Sequence, residues 1–280
     1  MPGRPPRSSS ANGSTSIQRA PGLDLSVAVN LPPLTLTQPD CVSWIEDALR
    51  KTQVAASHLT LEILESAELD HTRSGEAMQA IDALGTHLAL DDLGSGYGSL
   101  GRLAAMPIDT VKIDQGLIRE LPRDPLRTIR LLSTLVRIGD EFARHTVVEG
   151  LEDEGFVEAA RLLGARLGQG YALARPMPAK SFPAWMQIRP AIGEDPTLHT
   201  WPGALAYHWA TTHDRLHLRP PRPFESCPLA AFLQQQGLNE PEVLRWHEQI
   251  HRSTPGLARD AAARALLEWL VRRVTLAYTP

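Results

Sequence analysis

The feature that most constrains this chain is a rhythm in which short aliphatic or β-branched runs alternate with amphipathic stretches. The runs are Leu25 to Leu31, Leu59 to Leu64, His87 to Leu93, Thr110 to Ile113, Thr146 to Val148 and Arg166 to Gly168. Helical spacing lies between them, with Val42, Ile45 and Leu49 on one face and Ile129, Leu132, Leu135 and Val136 on another. Strands that take turns with helices in this way belong to a parallel α/β fold, either a barrel or an open doubly wound sheet. The connection from Leu64 to His87 suits a helix packed outside the sheet, and Gly85 reads as its stop.

Outside this region the rhythm is lost. Residues 1–21 are rich in Pro, Ser, Gly and Arg and lack apolar periodicity, so they are expected to be a disordered arm. The α/β domain is assigned to residues 22–188 and a Pro-rich linker to 189–202. A small all-helical domain is assigned to 203–280, from the helical spacing of Leu205 to Leu216, Leu229 to Gln236, Pro241 to Arg252 and Ala261 to Ala277. Leu266, Leu267, Leu270 and Val271 share one stripe of the last. No run reaches the roughly 18–20 apolar residues of a membrane span, and the start lacks the apolar core of a secretory signal. The expected location is cytoplasmic, with no membrane partner. Two cysteines, Cys41 and Cys227, are too few for a disulfide framework and fit a reducing compartment. A formal net charge of −4 gives no general attraction for DNA or RNA, so a phosphorylated ligand must be held by local cations or metal ions.

In parallel α/β folds, polar residues that close a strand face the catalytic edge. Here Asn30, Glu62, the pair Asp91 and Asp92, Lys112, Glu149 and Gln169 occupy such places on successive runs. One Asp at a strand end would as readily cap a helix; recurrence along the chain carries the reading. Hard oxygen ligands of this kind suit Mg²⁺ or Mn²⁺, and two ions about 4 Å apart activate water for attack on a phosphodiester. Asp91 and Asp92 are neighbours that strand alternation would aim apart, so the Gly-rich turn after them is expected to supply a bend. Lys112, among carboxylates, stays cationic and offsets charge on a phosphate, or else forms a structural ion pair.

These residues carry a family resemblance. Asp91-Asp92-Leu93-Gly94-Ser95-Gly96-Tyr97 resembles the Asp-Asp-Phe-Gly-Thr-Gly-Tyr loop of EAL domains. Val29-Asn30-Leu31, Leu61-Glu62-Ile63-Leu64-Glu65-Ser66, Lys112-Ile113-Asp114, Glu149-Gly150-Leu151-Glu152 and Gln169-Gly170-Tyr171 match the family's other signatures in order, over about residues 22–185. The resemblance implies an incomplete TIM-type (β/α) barrel of about six strands whose substrate is cyclic di-GMP, linearised to pGpG. It further implies that Asn30, Glu62, Asp91, Asp92 and Glu149 ligate the metal pair, that Lys112 orients the attacking water, and that Gln169 lines the same site. Asp92, Lys112 and Glu149 would then be the catalytic set, with Asp91 and Gln169 also touching substrate. Glu65 and Glu152 rank as loop supports, and Tyr97 and Ser99 belong to the loop closing the metal-site edge. No Glu-Ala-Leu motif with its following Arg precedes Asn30, so a metal ligand and a phosphate contact are expected to be missing and turnover to be slow. The loss of opening strands would expose sheet edges, which a second copy of the chain could cover. Pro32-Pro33 replaces a usual Ser after Asn-Leu and is expected to alter the passage from strand to helix.

In the tail, His247 and His251 are four apart on an expected helix and so face one way. With Cys227 and His208, or His213 in its place, they form a set suited to tetrahedral Zn²⁺. The set resembles the chemoreceptor zinc-binding domain, which implies a structural or sensory zinc ion responsive to thiol oxidation. The plainer reading makes them half-buried helix residues. Trp209 and Trp246 are expected to be core residues.

Overall fold

The computed structural model describes residues 25–64, 71–93, 100–188, 197–213 and 223–279. In chain order these form β1 (Val27–Asn30), α1 (Pro33–Leu36), α2 (Cys41–Thr52), β2 (Leu59–Leu64), α3 (His71–Ala83), β3 (His87–Leu93), α4 (Leu100–Ala105) and β4 (Thr110–Ile113). There follow α5 (Gln115–Arg119), α6 (Pro125–Glu141), β5 (His145–Val148), α7 (Glu154–Leu162), β6 (Leu167–Gly168) and α8 (Phe182–Ile188). The tail adds α9 (Trp201–Thr212), α10 (Pro228–Gln235), α11 (Pro241–Arg252) and α12 (Leu257–Ala277). All six runs read from the sequence become strands, in the spatial order β1-β2-β3-β4-β5-β6. The result is the strand–helix repeat of a (β/α) barrel with a helical region after it. The expected arm, residues 1–21, lies outside the described residues.

The chain divides into two compact units, and the division falls within β5. The first comprises the described residues of Met1–Asp114, Ile138–Val147 and Arg175–Ile192. In it β1, β2, β3 and β4 pair in parallel, and β5 continues from β4 through the His145 N–H, which donates to the Asp109 carbonyl at 2.8 Å. Leu88, Ala89 and Leu90 of β3 are all buried, the two-faced burial of a strand inside a parallel α/β layer. Met78 and Ile81 of α3 are fully buried, each contributing about 1.5–3 kcal/mol of transfer energy. Gly85, at φ 82°, ends that helix in the left-handed region, as the sequence suggests. The proline pair proves compatible with a helix start: Pro33 opens α1, where a missing N–H breaks no intrahelical bond.

The second unit comprises the described residues of Gln115–Arg137, Val148–Ala174 and Gly193–Pro280. There β6 meets the end of β5 through the Gln169 N–H, which donates to the Val148 carbonyl at 2.8 Å. Helix α9 packs on α7 and α12, and α11 packs on α12. Leu205, Phe232, Leu266 and Leu270 are buried in this region, and Trp201 lies edge-on to Phe232 and Trp269 at 4.9 and 5.8 Å. Among the described residues no helix is long and apolar enough to cross a membrane.

Candidate active site and candidate metal centre

Strand register brings the acidic residues of the first unit together. Side chains in register across parallel strands share a face, as do residues two apart along a strand. Asn30 is in register with Glu62, and Leu64 with Asp91, which sets Asn30, Glu62 and Asp91 on one face. Ala89, on that same face, is in register with Thr110, so Lys112 joins them. The Lys112 Nζ lies 3.1 Å from Glu62 Oε1 and 3.0 Å from Asp91 Oδ1. With side chains only 8% and 13% exposed, the pairs escape the solvent screening that makes surface ion pairs weak. Asn30 ends β1 and is exposed.

Asp92 ought to point the other way. Instead its φ is +62°, and the β3–β4 register shifts between Leu90 and Leu93. An irregularity of this kind re-aims one side chain, and Asp is among the few non-glycine residues that tolerate left-handed backbone. A bend is made at Asp92 itself, whose N–H donates to its neighbour's Asp91 Oδ1 at 3.1 Å. Gly94, Gly96, Tyr97, Ser99 and Glu65 lie outside the described residues.

Glu149 and Gln169 belong to the second unit, each directly after a strand. Gly150 follows Glu149 with φ 71°, and a Cβ there would come within 2.6 Å of the Gln115 Cβ. A Cβ on Gly170 would strike the Leu151 backbone. Both motif glycines are therefore demanded by close backbone approach. Glu152, half exposed, accepts from Arg119 at 2.9 Å, which fits a loop support. Gln169 is exposed, and its carbonyl accepts from the Leu151 N–H at 3.1 Å.

The EAL domain model matches residues 13–176. This chain belongs to the EAL domain family. Its EAL region is 35% identical over 158 residues to the bifunctional diguanylate cyclase/cyclic di-GMP phosphodiesterase MucR of Pseudomonas aeruginosa, covering 56% of this chain and 23% of that protein. It is 31% identical to the cyclic di-GMP phosphodiesterase RocR of the same organism, covering 58% of this chain and 41% of that protein. Among solved structures, the MucR phosphodiesterase in complex with cyclic di-GMP superposes at TM-score 0.58 with 33% identity, covering 61% of this chain and 70% of that one. The Klebsiella pneumoniae BlrP1 manganese/cyclic di-GMP complex superposes at 0.53 with 26% identity, covering 60% of this chain and 42% of that one. The chain spans about a fifth of the length of several curated relatives it matches.

The EAL match stops at residue 176, and a second group of ligand-type side chains lies beyond it. One donor atom from each of Cys227, His247 and His251 lies within 4.8 Å of the others. The Cys227 Sγ is 3.3 Å from His247 Nε2, and the His251 Nε2 is 3.2 Å from the same atom. Pro228 opens α10 directly after Cys227, while one helical turn of α11 separates the histidines, as their spacing requires. Burial, aided by His251, pushes the His247 imidazole down to about 4. Burial likewise pushes His208 down to about 3, outweighing the Ala263 carbonyl that would raise it. Neutral imidazoles are the ligand form.

His208 is not part of that group of three. Its Nε2 lies 2.8 Å from the Ala263 carbonyl of α12, although the residue lines the same cavity of about 480 Å³. His213 does not join it either; its ring stacks on Trp209 at 4.8 Å, and its Nδ1 meets the Thr212 hydroxyl at 2.6 Å. Trp209, expected in the core, is half-buried beneath the Arg130 guanidinium at 5.0 Å, and Trp246 is half-buried as well. The sequence reading missed Asp153, Glu158 and Tyr278, which join α7 to the C-terminal helices. Asp153 had a legible signal as the cap of α7; Tyr278 had none.

Proposed function

We propose that the EAL region binds cyclic di-GMP at a divalent-metal centre and converts it to pGpG. The observation that carries this reading is Lys112 held between Glu62 and Asp91, with Asp92 re-aimed by an irregular strand. Nothing in the structural role of a β-strand calls for three acids and a lysine at one strand edge, whereas a phosphodiester site does. The donor chemistry fits Mg²⁺ or Mn²⁺, since carboxylate and amide oxygens are hard ligands. Asn30, Glu62, Asp91, Asp92 and Glu149 would hold the ions. Bound there, such ions make a coordinated water acidic and offset phosphate charge.

The chain's own residues do the rest. Lys112 donates hydrogen bonds to Glu62 and Asp91, which fixes its ammonium where it would orient the attacking water and neutralise the scissile phosphate. Gln169 lines the nucleotide. In an assay with cyclic di-GMP and Mn²⁺, we expect saturable binding by calorimetry and formation of pGpG by chromatography. Asp91→Asn and Glu149→Ala should remove both. Absence of binding in the wild type overturns the reading.

A second reading concerns the tail, and the Cys227–His247–His251 group favours it. These residues bind Zn²⁺, with His208 as the fourth ligand once its ring leaves the Ala263 carbonyl. The EAL region would then be a nucleotide-binding module that answers to zinc or thiol oxidation. Cys227→Ser should weaken zinc binding by about a hundredfold in competition with a chromophoric chelator, because the thiolate is the softest donor present. His208→Ala should weaken it less. Equal zinc affinity in the wild type and Cys227→Ser removes this reading.

A further inference from the structure

The helix that follows Glu149 is held at two points by the C-terminal helices, both inside the second compact unit. At its start, the Asp153 carboxylate accepts from the Phe156 N–H at 3.0 Å, capping α7, and also accepts from the Tyr278 hydroxyl at 2.9–3.0 Å. One turn on, the Glu158 carboxylate, 6% exposed, accepts from the His199 and Thr200 N–H groups at 2.9 Å and from the Thr200 hydroxyl. Thr200 in turn caps α9 through the Gly203 N–H at 3.0 Å. A buried carboxylate at a helix N-terminus, with its oxygens satisfied by backbone donors, is a strong and directional tie.

Two glycines show that the approach is built into the sequence. A Cβ on Gly155 would come within 2.8 Å of the Tyr278 hydroxyl and 2.9 Å of the Pro202 Cγ, and one on Gly203 would overlap the Glu158 carboxylate. Both glycines lie in the first turns of their helices, where Gly is a poorer helix former than Ala. That cost has a compensating reason only if α7 and α9 must touch. The same C-terminal helices carry the thiol–imidazole group: His247 and His251 on α11, which packs on α12, and His208 on α9, joined to α12 at Ala263. Helix α12 runs directly into Tyr278, whose ring packs on Phe156 at 5.6 Å.

We infer that Tyr278 and Glu158 are positioning residues that tie the Glu149 loop to the C-terminal helices, so that filling the Cys227–His247–His251 group tightens that loop. The inference rests on the proposed roles of Glu149 and of that group, and it makes the tail a support of the EAL site, not a tethered appendage. Zinc bound to α11 and Cys227 would stiffen the helices that end on Asp153 and Glu158. Both anchors then act on residues 149–158 without touching substrate.

The test is hydrogen–deuterium exchange of the full chain, read over peptides spanning residues 149–162, with and without one equivalent of Zn²⁺ and without nucleotide. In the wild type, zinc should slow exchange there by about tenfold, within the range of local opening equilibria. Tyr278→Phe keeps the ring on Phe156 and removes only the hydroxyl. It should raise basal exchange in these peptides several-fold and shrink the zinc response, while zinc still binds with unchanged stoichiometry. A zinc response in Tyr278→Phe equal to that of the wild type overturns the inference, as does a wild type that binds zinc without slowing these peptides or binds none at all. A purely local structural role would raise basal exchange yet leave the zinc response intact. Glu158→Gln provides the second variant, with the same expectation at residues 155–162. Failure of the phosphodiesterase reading appears separately, as absent nucleotide binding, and leaves the exchange result standing.

Discussion

The two candidate centres solve opposite problems with burial. At the strand edge of the first unit, burial gathers opposite charges, with Lys112 touching both Glu62 and Asp91. In the C-terminal helices, one thiol and two imidazoles bring their donor atoms within 4.8 Å of one another, and burial holds the His247 imidazole neutral. One centre is hard, charged and assembled by strand register. The other is soft, near neutral and assembled by helix spacing and a proline-initiated turn after Cys227. Ligand hardness and protonation state therefore separate them more sharply than sequence position does.

The largest effect that would break this contrast is at Lys112. Lys112→Met leaves Glu62 and Asp91 facing each other without their shared cation, and loss of one partner of a buried pair costs about 3–5 kcal/mol. Urea unfolding should show that loss, with partial recovery when Mn²⁺ is added; a change under about 1 kcal/mol would place these groups in the class of screened surface pairs.

The second test is pH. His247 and His208 titrate far below the ordinary 6.5 in the folded chain, so the unfolded chain binds protons that the folded chain refuses. The stability they confer is complete above pH 6.5 and falls as pH drops toward 4, at about 1.4 kcal/mol per pH unit for each histidine. Thermal unfolding of zinc-free protein should show a lower midpoint at pH 5 than at pH 7, and the double variant His208→Gln, His247→Gln should flatten the difference.

The smallest effect sharpens the same point. Arg119 and Glu152 form an ion pair at 2.9 Å, but both side chains are about half exposed, at 56% and 47%. Arg119→Ala should cost less than about 1 kcal/mol in urea unfolding. Chemistry like that at Lys112 yields little where water competes for it.

Much of this was legible beforehand because strand and helix periods leave plain marks in a sequence. The runs Leu59–Leu64, His87–Leu93 and Thr110–Ile113 took their expected bounds, and the placement of Glu62, Asp91 and Lys112 at one edge follows from register alone. Asp92 was legible as a residue but not as a conformation. Its positive φ depends on how β3 meets β4, which no local pattern records. His208 and His213 were open alternatives for the early ligand, and the structure engages each elsewhere, on the Ala263 carbonyl and the Trp209 ring.

By itself, then, the sequence determined the parallel α/β order, the EAL membership carried by its motifs and the ligand types available, since these depend on residue identity and short-range spacing. Tertiary structure alone decided which side chains share a cation, which histidines gather beside Cys227, and that Tyr278 meets Asp153 across 125 positions of chain. Contacts between distant segments arise from the packing of whole helices and strands, and a pairing of that range has no periodicity to announce it.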